Sequence, residues 1–212
     1  TVANLIAPFL KKNTVVTDTG STKGSVVNDV NPYMPDNVYF IPSHPLAGTE
    51  YSGPKSGFSS LFKNRYWLIV YDKQTNETKK LINFFQTLGS FVEIVNTEYH
   101  DKILAITSHL PHLIAYTIVG TASDLETDLK NDVIKFSASG FRDFTRIASS
   151  DPIMWRDVFL NNSDAVLEML QRFNEDLSDL QKAIRKKDGV KLHSFFSRTR
   201  SIRKKIIDAG QI

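Results

Sequence analysis

The chain has 212 residues, a formal net charge of +3 and no cysteine. This length, with 41% hydrophobic residues, allows one large domain or two small ones. We find no apolar run of the roughly 18 residues that a membrane span requires and no leader sequence, and the absence of cysteine excludes disulfides and thiolate chemistry. We therefore expect a cytoplasmic protein that does not bind a membrane.

The first 96 residues alternate helix and strand patterns. Helices are predicted at 2–12, 25–30 and 77–88, and strands at 14–18, 38–41, 66–71 and 91–95. This alternation is typical of a largely parallel sheet with both faces covered by helices. No Gly-x-Gly-x-x-Gly turn opens a strand–helix unit, and the chain begins with a helix. We therefore predict an α/β domain that lacks its first third.

From residue 97 onward only helix patterns occur, which places a domain boundary near residue 96. Thr97 is the predicted N-cap of a long helix to about residue 122, and Pro111 is expected to kink it. Further helices are predicted at 124–135, 139–148, 152–160, 163–187 and 190–209. The apolar stripes of the last two are typical of a core or a subunit interface. Basic residues cluster near the C-terminus with few aromatics among them, which favours a solvated helix face over a nucleic-acid groove.

Residues 41–53, Ile-Pro-Ser-His-Pro-Leu-Ala-Gly-Thr-Glu-Tyr-Ser-Gly, form the most unusual stretch. The two prolines on either side of His44 predict an irregular loop with a stiff backbone. An imidazole, with a pKa near 6.5, is the side chain best suited to move a proton near neutral pH. Thr49 and Glu50 add a hydroxyl and a carboxylate that could hold a small polar ligand. The alternative is an ordinary turn with a solvent-facing histidine.

The long predicted helix carries a polar stripe formed by Asp101, Ala105, Ser108 and His112, which is not expected of a core face. His109 lies three residues before His112 and could share its face, either as a metal pair or as a buried imidazole. Without cysteine or an obvious third ligand, we do not expect zinc here.

Two further segments could contact a ligand. Gly20 and Ser21 follow the strand predicted at 14–18, where open α/β sheets bind ligands, and could present a backbone N–H and a hydroxyl. Arg142 and Arg146 are one helical turn apart with Asp143 between them. They could hold an anionic ligand through a guanidinium fork, or form ordinary exposed ion pairs.

Four segments together resemble the prephenate/arogenate dehydrogenase family of tyrosine biosynthesis, over nearly the whole chain. They are Asp-Thr-Gly-Ser-Thr-Lys-Gly at 18–24, Ser-His-Pro-Leu-Ala-Gly-Thr-Glu-Tyr-Ser-Gly at 43–53, the histidine-containing segment 100–112, and Gly-Phe-Arg-Asp-Phe-Thr-Arg-Ile-Ala-Ser-Ser-Asp-Pro-Ile-Met-Trp at 140–155. The resemblance implies an incomplete Rossmann-like nucleotide-binding domain at 1–96 and an all-helical substrate-binding and dimerisation domain at 97–212.

The implied reaction is the oxidative decarboxylation of prephenate to 4-hydroxyphenylpyruvate with NAD or NADP, or the corresponding reaction of arogenate. A homodimer and inhibition by tyrosine are implied as well. The resemblance assigns roles as follows: catalysis to His44 and Ser21, cofactor binding to Gly20 and Ser21, substrate binding to His112, Arg146, Thr49 and Glu50, and gating to Asp143 of a partner subunit.

The glycine-rich fingerprint and the acidic partner of the ribose would precede Thr1 and are absent from this sequence. We therefore expect this chain to bind NAD(P) weakly and to be inactive alone, as a shortened chain, a protein with a misassigned start or a degradation product. Two other readings stay open. A related β-hydroxyacid or 6-phosphogluconate-type dehydrogenase would carry a lysine and asparagine pair where this helix has histidines. A non-catalytic regulatory module would bind tyrosine without affinity for NAD(P).

Overall fold

A computed structural model describes residues 2–49, 51, 53–71, 73, 75–125 and 127–209. By its internal contacts the chain forms two compact units, Thr1–Val166 and Leu167–Ile212. The strands are β1 Val15–Val16, β2 Tyr39–Phe40, β3 Ser43–Pro45, β4 Tyr66–Val70 and β5 Phe91–Val95. The helices are α1 Val2–Ile6, α2 Gly24–Val30, α3 Asn76–Thr87, α4 Thr97–Leu104, α5 Leu110–Ser123, α6 Thr127–Phe136, α7 Ser139–Thr145, α8 Pro152–Asn161, α9 Ser163–Arg185 and α10 Gly189–Asp208.

One extended segment joins the two small sheets of the first unit. At its start, β2 pairs with β1 in parallel, and Ile41 N–H donates to the carbonyl of Val16 at 2.8 Å. At its end, β3 pairs with β4 in antiparallel orientation, and β4 pairs with β5 in parallel. The segment therefore links β1 to the three-stranded sheet, and it carries His44 at its end, in β3.

The expectation of an irregular loop around His44 is wrong for Ser43–Pro45, which form a buried strand. Pro45 lies opposite Trp67 at a position of the antiparallel pair that uses no N–H, because the next residue, Leu46, donates to the carbonyl of Tyr66 at 2.8 Å. The antiparallel pairing of β3 with β4 also departs from the largely parallel sheet predicted. In the described part of 46–65 no α-helix forms, so the chain returns without a crossover and reverses direction.

The long helix begins one residue earlier than predicted and contains a π-helical segment. Asn96 is the N-cap, and its side chain accepts the N–H of Tyr99 at 2.7 Å. Ala105–His109 is π-helical, and Leu110 N–H donates to the carbonyl of Ala105, five residues back. The irregularity expected at Pro111 thus takes the form of a wide turn directly before it. Such turns are frequent at functional sites.

The combined helix Thr97–Ser123, 27 residues, is long and apolar enough by composition to cross a membrane. This finding corrects the sequence-based prediction that no segment of the chain is long and apolar enough to do so. Several of its side chains are buried inside the first unit, including His100, Leu104 and His109. A core helix passes the same test of length and composition, so this finding is weak evidence for a membrane span.

The core of the sheet lies where β2, β3 and β4 meet α3. Trp67 stacks on Phe85 with ring centroids 3.8 Å apart, and its indole N–H donates to Ser43 Oγ at 2.9 Å. Ile41 and Ile69 are fully buried beside them. This packing fixes β3, and therefore the backbone of His44, against the sheet.

The second unit begins within α9, at Leu167, and includes α10. α9 ends at Arg185 and α10 begins at Gly189, which confirms the predicted break at Asp188 and Gly189. Asp188 caps α10 by accepting the N–H of Lys191 at 2.9 Å. Leu177 and Ile184 on α9 stay more than half exposed.

Replacing Phe85 by alanine should destabilise the chain by about 3–5 kcal/mol, because it removes the ring on which Trp67 packs and leaves a cavity. Phe84 is the matched control, since it is the preceding residue on α3 and is 57% exposed. Urea unfolding of the Phe85→Ala and Phe84→Ala variants measures the difference. Equal losses for the two variants would contradict the core described above.

Candidate active site

His44 is held in a buried chain of hydrogen-bonded groups. It is 8% exposed, and its Nδ1 lies 2.9 Å from Nε2 of His100 on α4. His100 is fully buried, and its Nδ1 lies 2.8 Å from Oδ1 of Asp101. The result is a line from the carboxylate through one imidazole to a second.

The Asp101 carboxylate is fixed by backbone groups of another element. Its Oδ1 accepts the N–H of Lys23 at 2.9 Å, and its Oδ2 accepts the N–H of Gly24 at 2.8 Å. These are first N–H groups of α2, which have no partner within their own helix. Asp101 thus caps α2 from α4, and the same carboxylate orients His100.

A buried ion pair supports the turn between β1 and α2. The ammonium group of Lys23 is fully buried and pairs with Asp18. Asp18 also accepts the N–H of Gly20 at 2.8 Å and that of Ser43 at 3.1 Å. Since Ser43 precedes His44, this carboxylate ties the turn after β1 to the strand that carries the candidate base.

Gly20 therefore differs from expectation in one respect. Its backbone N–H is already donated to Asp18 and is not directed to a ligand. A Cβ at this position would lie 3.0 Å from Asp18 Oδ2, so the residue permits a tight turn. Ser21 follows it, half-buried in the same turn. Their assignment to cofactor binding stays a prediction.

The charge balance of the site keeps His44 neutral. Burial lowers the pKa of His44 to about 3, aided by His100, Lys23 and His109, while the charge of Asp101 acts in the opposite direction. Burial disfavours the ionised form of Asp101, but hydrogen bonds from His100 and from the backbone of Lys23 outweigh it and hold its pKa below the ordinary value. An ionised carboxylate and a neutral imidazole are thus the resting forms.

A second group of aromatic side chains lies on the π segment, α5 and α8. Asn162 joins it to the first group, since its Nδ2 donates to the carbonyl of Asp101 at 2.8 Å and lies 3.1 Å from Nδ1 of His109. His112 stacks on Trp155 with ring centroids 3.6 Å apart. His112 Nδ1 lies 2.8 Å from the carbonyl of Ser108, so Nδ1 carries its hydrogen and Nε2 is the acceptor.

Two buried nitrogens of this second group have no hydrogen-bond partner in the described part of the chain, His109 Nε2 and Trp155 Nε1. Asn162 donates to His109 Nδ1, so a neutral His109 carries its hydrogen on Nε2. Burial lowers the pKa of His109 to about 4, which keeps the ring neutral. The group therefore retains two N–H donors beside the His112 ring.

Arg146 lies close enough to His112 to affect its ionisation. It begins a 3-10 turn, Arg146–Ser149, after α7, and it is exposed. Burial and then the charge of Arg146 lower the pKa of His112, while its bond to Ser108 has the opposite effect. The structure thus places a cation near His112.

Two of the remaining predicted residues, Asp143 and Thr49, are exposed. Asp143 is exposed on α7, and Thr49 is exposed in the loop after β3, where its Oγ1 accepts the N–H of Tyr51 at 3.3 Å. Glu50 lies outside the described residues. Within the ranges that the structure describes, no group of three or more histidine, aspartate and glutamate side chains is arranged to hold a metal ion.

Sequence reasoning missed His100 and Lys23 as parts of the site. His100 belongs to a His-Asp pair in the first turn of α4, and this pair was the available signal. The polar stripe was calculated for a regular helix, whereas the π segment changes the register and turns His109 inward.

Comparison with known proteins agrees with this geometry. Residues 1–94 match the family described as prephenate dehydrogenase, nucleotide-binding domain, and residues 96–198 match prephenate dehydrogenase, dimerization domain. The chain is 38% identical to a cyclohexadienyl dehydrogenase of Zymomonas mobilis over 95% of its length. The chain belongs to the prephenate dehydrogenase family.

Two further relatives support this membership. A prephenate dehydrogenase of Bacillus subtilis is 33% identical over 89% of the chain. The crystal structure of a prephenate dehydrogenase from A. aeolicus, in complex with hydroxyphenyl propionate and NAD+, superposes with a TM-score of 0.88 at 32% identity and covers 97% of this chain and 71% of that one. The chain spans 69% of the Zymomonas protein and 51% of the Bacillus protein.

These matches confirm the predicted family and fold class, a Rossmann-like domain with a small sheet followed by a helical domain. The boundary predicted at residue 96 and the roles of individual site residues stay predictions.

The free energy of unfolding should decrease as the pH is lowered below about 6.5. The pKa of His44 is about 3 and that of His109 about 4 in the folded chain, against about 6.5 when unfolded. The unfolded chain therefore takes up protons first as the pH falls. Stability from these groups is complete above about pH 6.5 and is lost towards the folded pKa values, by up to about 1.4 kcal/mol per pH unit for each histidine.

Urea unfolding at pH 7 and pH 5 measures this loss. The His193→Gln variant, altered at an exposed position on α10, should show the same pH dependence as the unchanged chain. An unfolding free energy that stays constant between the two pH values would contradict the burial of neutral histidines.

Proposed function

We propose that this protein is an NAD(P)-dependent dehydrogenase that oxidatively decarboxylates prephenate to 4-hydroxyphenylpyruvate. The observation that carries the proposal is the neutral His44 imidazole, buried and hydrogen-bonded through His100 to an ionised carboxylate. This is the arrangement of a positioned proton acceptor. The family and its relatives, one of which is named cyclohexadienyl dehydrogenase, supply the substrate class.

The turn after β1 would hold the nicotinamide end of the cofactor. Gly20 and Ser21 lie at the carboxyl end of β1, where open α/β sheets bind ligands, and Gly20 leaves little room for a side chain. A bound NAD(P)+ supplies the acceptor for the hydride that leaves the ring carbon bearing the 4-hydroxyl. The Ser21 hydroxyl is in the same turn and would orient the substrate hydroxyl.

His44 removes the proton of the 4-hydroxyl. Positive charge develops at the ring carbon as the hydride leaves, so the hydroxyl becomes acidic and its proton passes to the unprotonated nitrogen of His44. Burial keeps the imidazole neutral and therefore ready to accept. General base catalysis of this kind typically contributes about 10²–10⁴-fold.

The substrate carboxylates find their partners on the helical side. Arg146 would supply a planar fork that suits a carboxylate. Its charge lies close enough to His112 to lower the pKa of that ring, which supports the assignment of both residues to one anionic group. Loss of CO2 is driven by aromatisation of the ring and needs little help from the protein. Very tight binding of the carboxylate that leaves as CO2 would stabilise the ground state and slow the reaction.

Three further residues complete the proposal. Thr49 and Glu50, in the loop after β3, would line the substrate pocket. Asp143 of a partner subunit, together with Glu50, would control access to Arg146. The match to a dimerization domain and the exposed apolar side chains of α9 support a homodimer.

Substrate choice, inhibition and location follow from the same chemistry. Arogenate has an amino group where prephenate has a keto group, and both carry the ring hydroxyl that His44 would deprotonate. Tyrosine shares the para-hydroxyphenyl ring of the product, so we expect it to compete at this site. A biosynthetic role of this kind is consistent with the cytoplasm.

The activity is tested by following reduction of NAD+ and NADP+ with prephenate and with arogenate, in the protein as its gene encodes it. We expect prephenate-dependent reduction of at least one cofactor, and inhibition by tyrosine. Calorimetry on the present chain distinguishes the proposed enzyme from the alternative, a regulatory module that binds tyrosine. Tyrosine binding together with no turnover of either substrate would favour a regulatory module and overturn the proposal.

Two substitutions should separate proton transfer from substrate binding. His44→Asn should lower kcat by about 10²–10⁴-fold with little change in KM, because it removes the base and not the substrate contacts. Arg146→Gln should chiefly raise KM, by about tenfold or more, because a charged hydrogen bond to the carboxylate is lost. Arg156→Gln, an exposed arginine on α8, is the control. Near-normal turnover of His44→Asn would refute the role of His44.

A further inference from the structure

We propose that His100 and Asp101 are positioning residues that hold His44 in the tautomer with hydrogen on Nδ1 and a bare Nε2, so that only Nε2 can accept the substrate proton. The inference rests on the proposed function for its consequence in catalysis. The tautomer itself follows from hydrogen bonds within this chain.

The argument starts at the carboxylate. Asp101 Oδ1 receives the N–H of Lys23 and lies 2.8 Å from His100 Nδ1, and its Oδ2 receives the N–H of Gly24. An ionised carboxylate can only accept hydrogen bonds, and here every neighbour is a donor. The hydrogen between His100 and Asp101 therefore belongs to His100 Nδ1.

The tautomer of His44 follows from that of His100. We take His100 in its neutral form, which has one donor and one acceptor nitrogen. With Nδ1 donating to Asp101, Nε2 is then the acceptor. At 2.9 Å, the donor to it is His44 Nδ1. In neutral His44 the other nitrogen, Nε2, then carries no hydrogen and is the acceptor available for the substrate hydroxyl.

The geometry is set by groups of the chain itself. Asp101 is oriented by two backbone N–H groups of a different element, and its own carbonyl accepts from Asn162 at 2.8 Å. His100 is fully buried, which leaves it no alternative partner in solvent. Such fixed partners add orientation without a reorganisation cost during the reaction.

Asp101, at the far end of this hydrogen-bonded line, stabilises the charge that catalysis creates. When Nε2 of His44 accepts a proton, the ring becomes an imidazolium that still donates from Nδ1 to His100. The groups facing it are His100 and Asp101 from α4, Lys23 with its partner Asp18 from the turn before α2, and His109 from the π segment. Among these, the Asp101 charge favours the imidazolium, whereas Lys23 and the neighbouring rings oppose it.

The tautomer can be measured directly in the present chain, without cofactor or substrate. The sequence has five histidines, so long-range proton–nitrogen NMR spectra of a chain labelled at histidine ring nitrogens will be simple. The His44→Gln variant assigns the signals of residue 44. We expect a protonated Nδ1 and a bare Nε2 for His44, with the same pattern for His100.

The opposite pattern would overturn the proposal. If His100 carried hydrogens on both nitrogens, it would donate to His44, and His44 would then be protonated on Nε2 and unable to accept there. A mixture of the two tautomers of His44 at neutral pH would equally refute a fixed orientation.

The Asp101→Asn variant tests the consequence in the protein as its gene encodes it. Its amide keeps the shape of the carboxylate but loses the charge and one acceptor, so we expect kcat to fall tenfold or more with KM nearly unchanged, and the single tautomer of His44 to be lost. Asp157→Asn, at an exposed aspartate paired with Arg156 on α8, is the matched control and should change neither. Normal kcat together with an unchanged tautomer in Asp101→Asn would refute the role of Asp101.

Failure of this inference can be told from failure of the proposed function. If the predicted tautomer is observed but prephenate and arogenate are not converted, the hydrogen-bond assignment holds and the assigned reaction is wrong. If substrate is converted while His44 carries its hydrogen on Nε2, the reaction holds and the positioning role is wrong.

Discussion

The Asp101 carboxylate is the group on which the candidate site depends. Its two oxygens take the first N–H groups of α2 and the ring N–H of His100, so one side chain joins the helix that follows the sheet to the turn that follows β1. Leaving any of these donors unsatisfied in the interior would cost about 1–3 kcal/mol. The same contacts that stabilise the junction therefore also fix the direction of His44.

The sheet contributes through packing more than through polar contacts. Trp67 stacks on Phe85 and donates to Ser43, and Ser43 is the neighbour of His44 in β3. The position of the candidate base is thus determined on one side by an apolar core and on the other by buried hydrogen bonds. Rigid support of this kind is what a reacting group needs, since small displacements of it lower the rate.

Periodicity predicted the main helices and strands, whereas the family was predicted from the resemblance of four sequence motifs. Apolar spacing and capping residues predicted the strand at 66–71, observed at Tyr66–Val70, and the break between the last two helices. They also predicted the long helix, which begins one residue earlier than expected. The pairing of His44 with His100 could not be predicted, because 56 residues separate them and no local pattern encodes the contact. The prolines beside His44 indicated a loop, but pairing with β4 overrode that preference. The π segment likewise shifted the register of a helix whose existence was predicted correctly.

The electrostatics of the site balance two requirements of a base. Burial makes the neutral form of His44 the resting form, but the same burial penalises the imidazolium that forms when it accepts a proton. Lys23 adds to that penalty, yet its charge is paired with Asp18, whereas the charge of Asp101 is directed along the hydrogen bonds towards His44. A proton accepted at Nε2 is therefore favoured by the Asp101 carboxylate, which the fold aligns with the ring. This alignment, and not the pKa of an isolated imidazole, determines whether His44 can act as a base in a buried site.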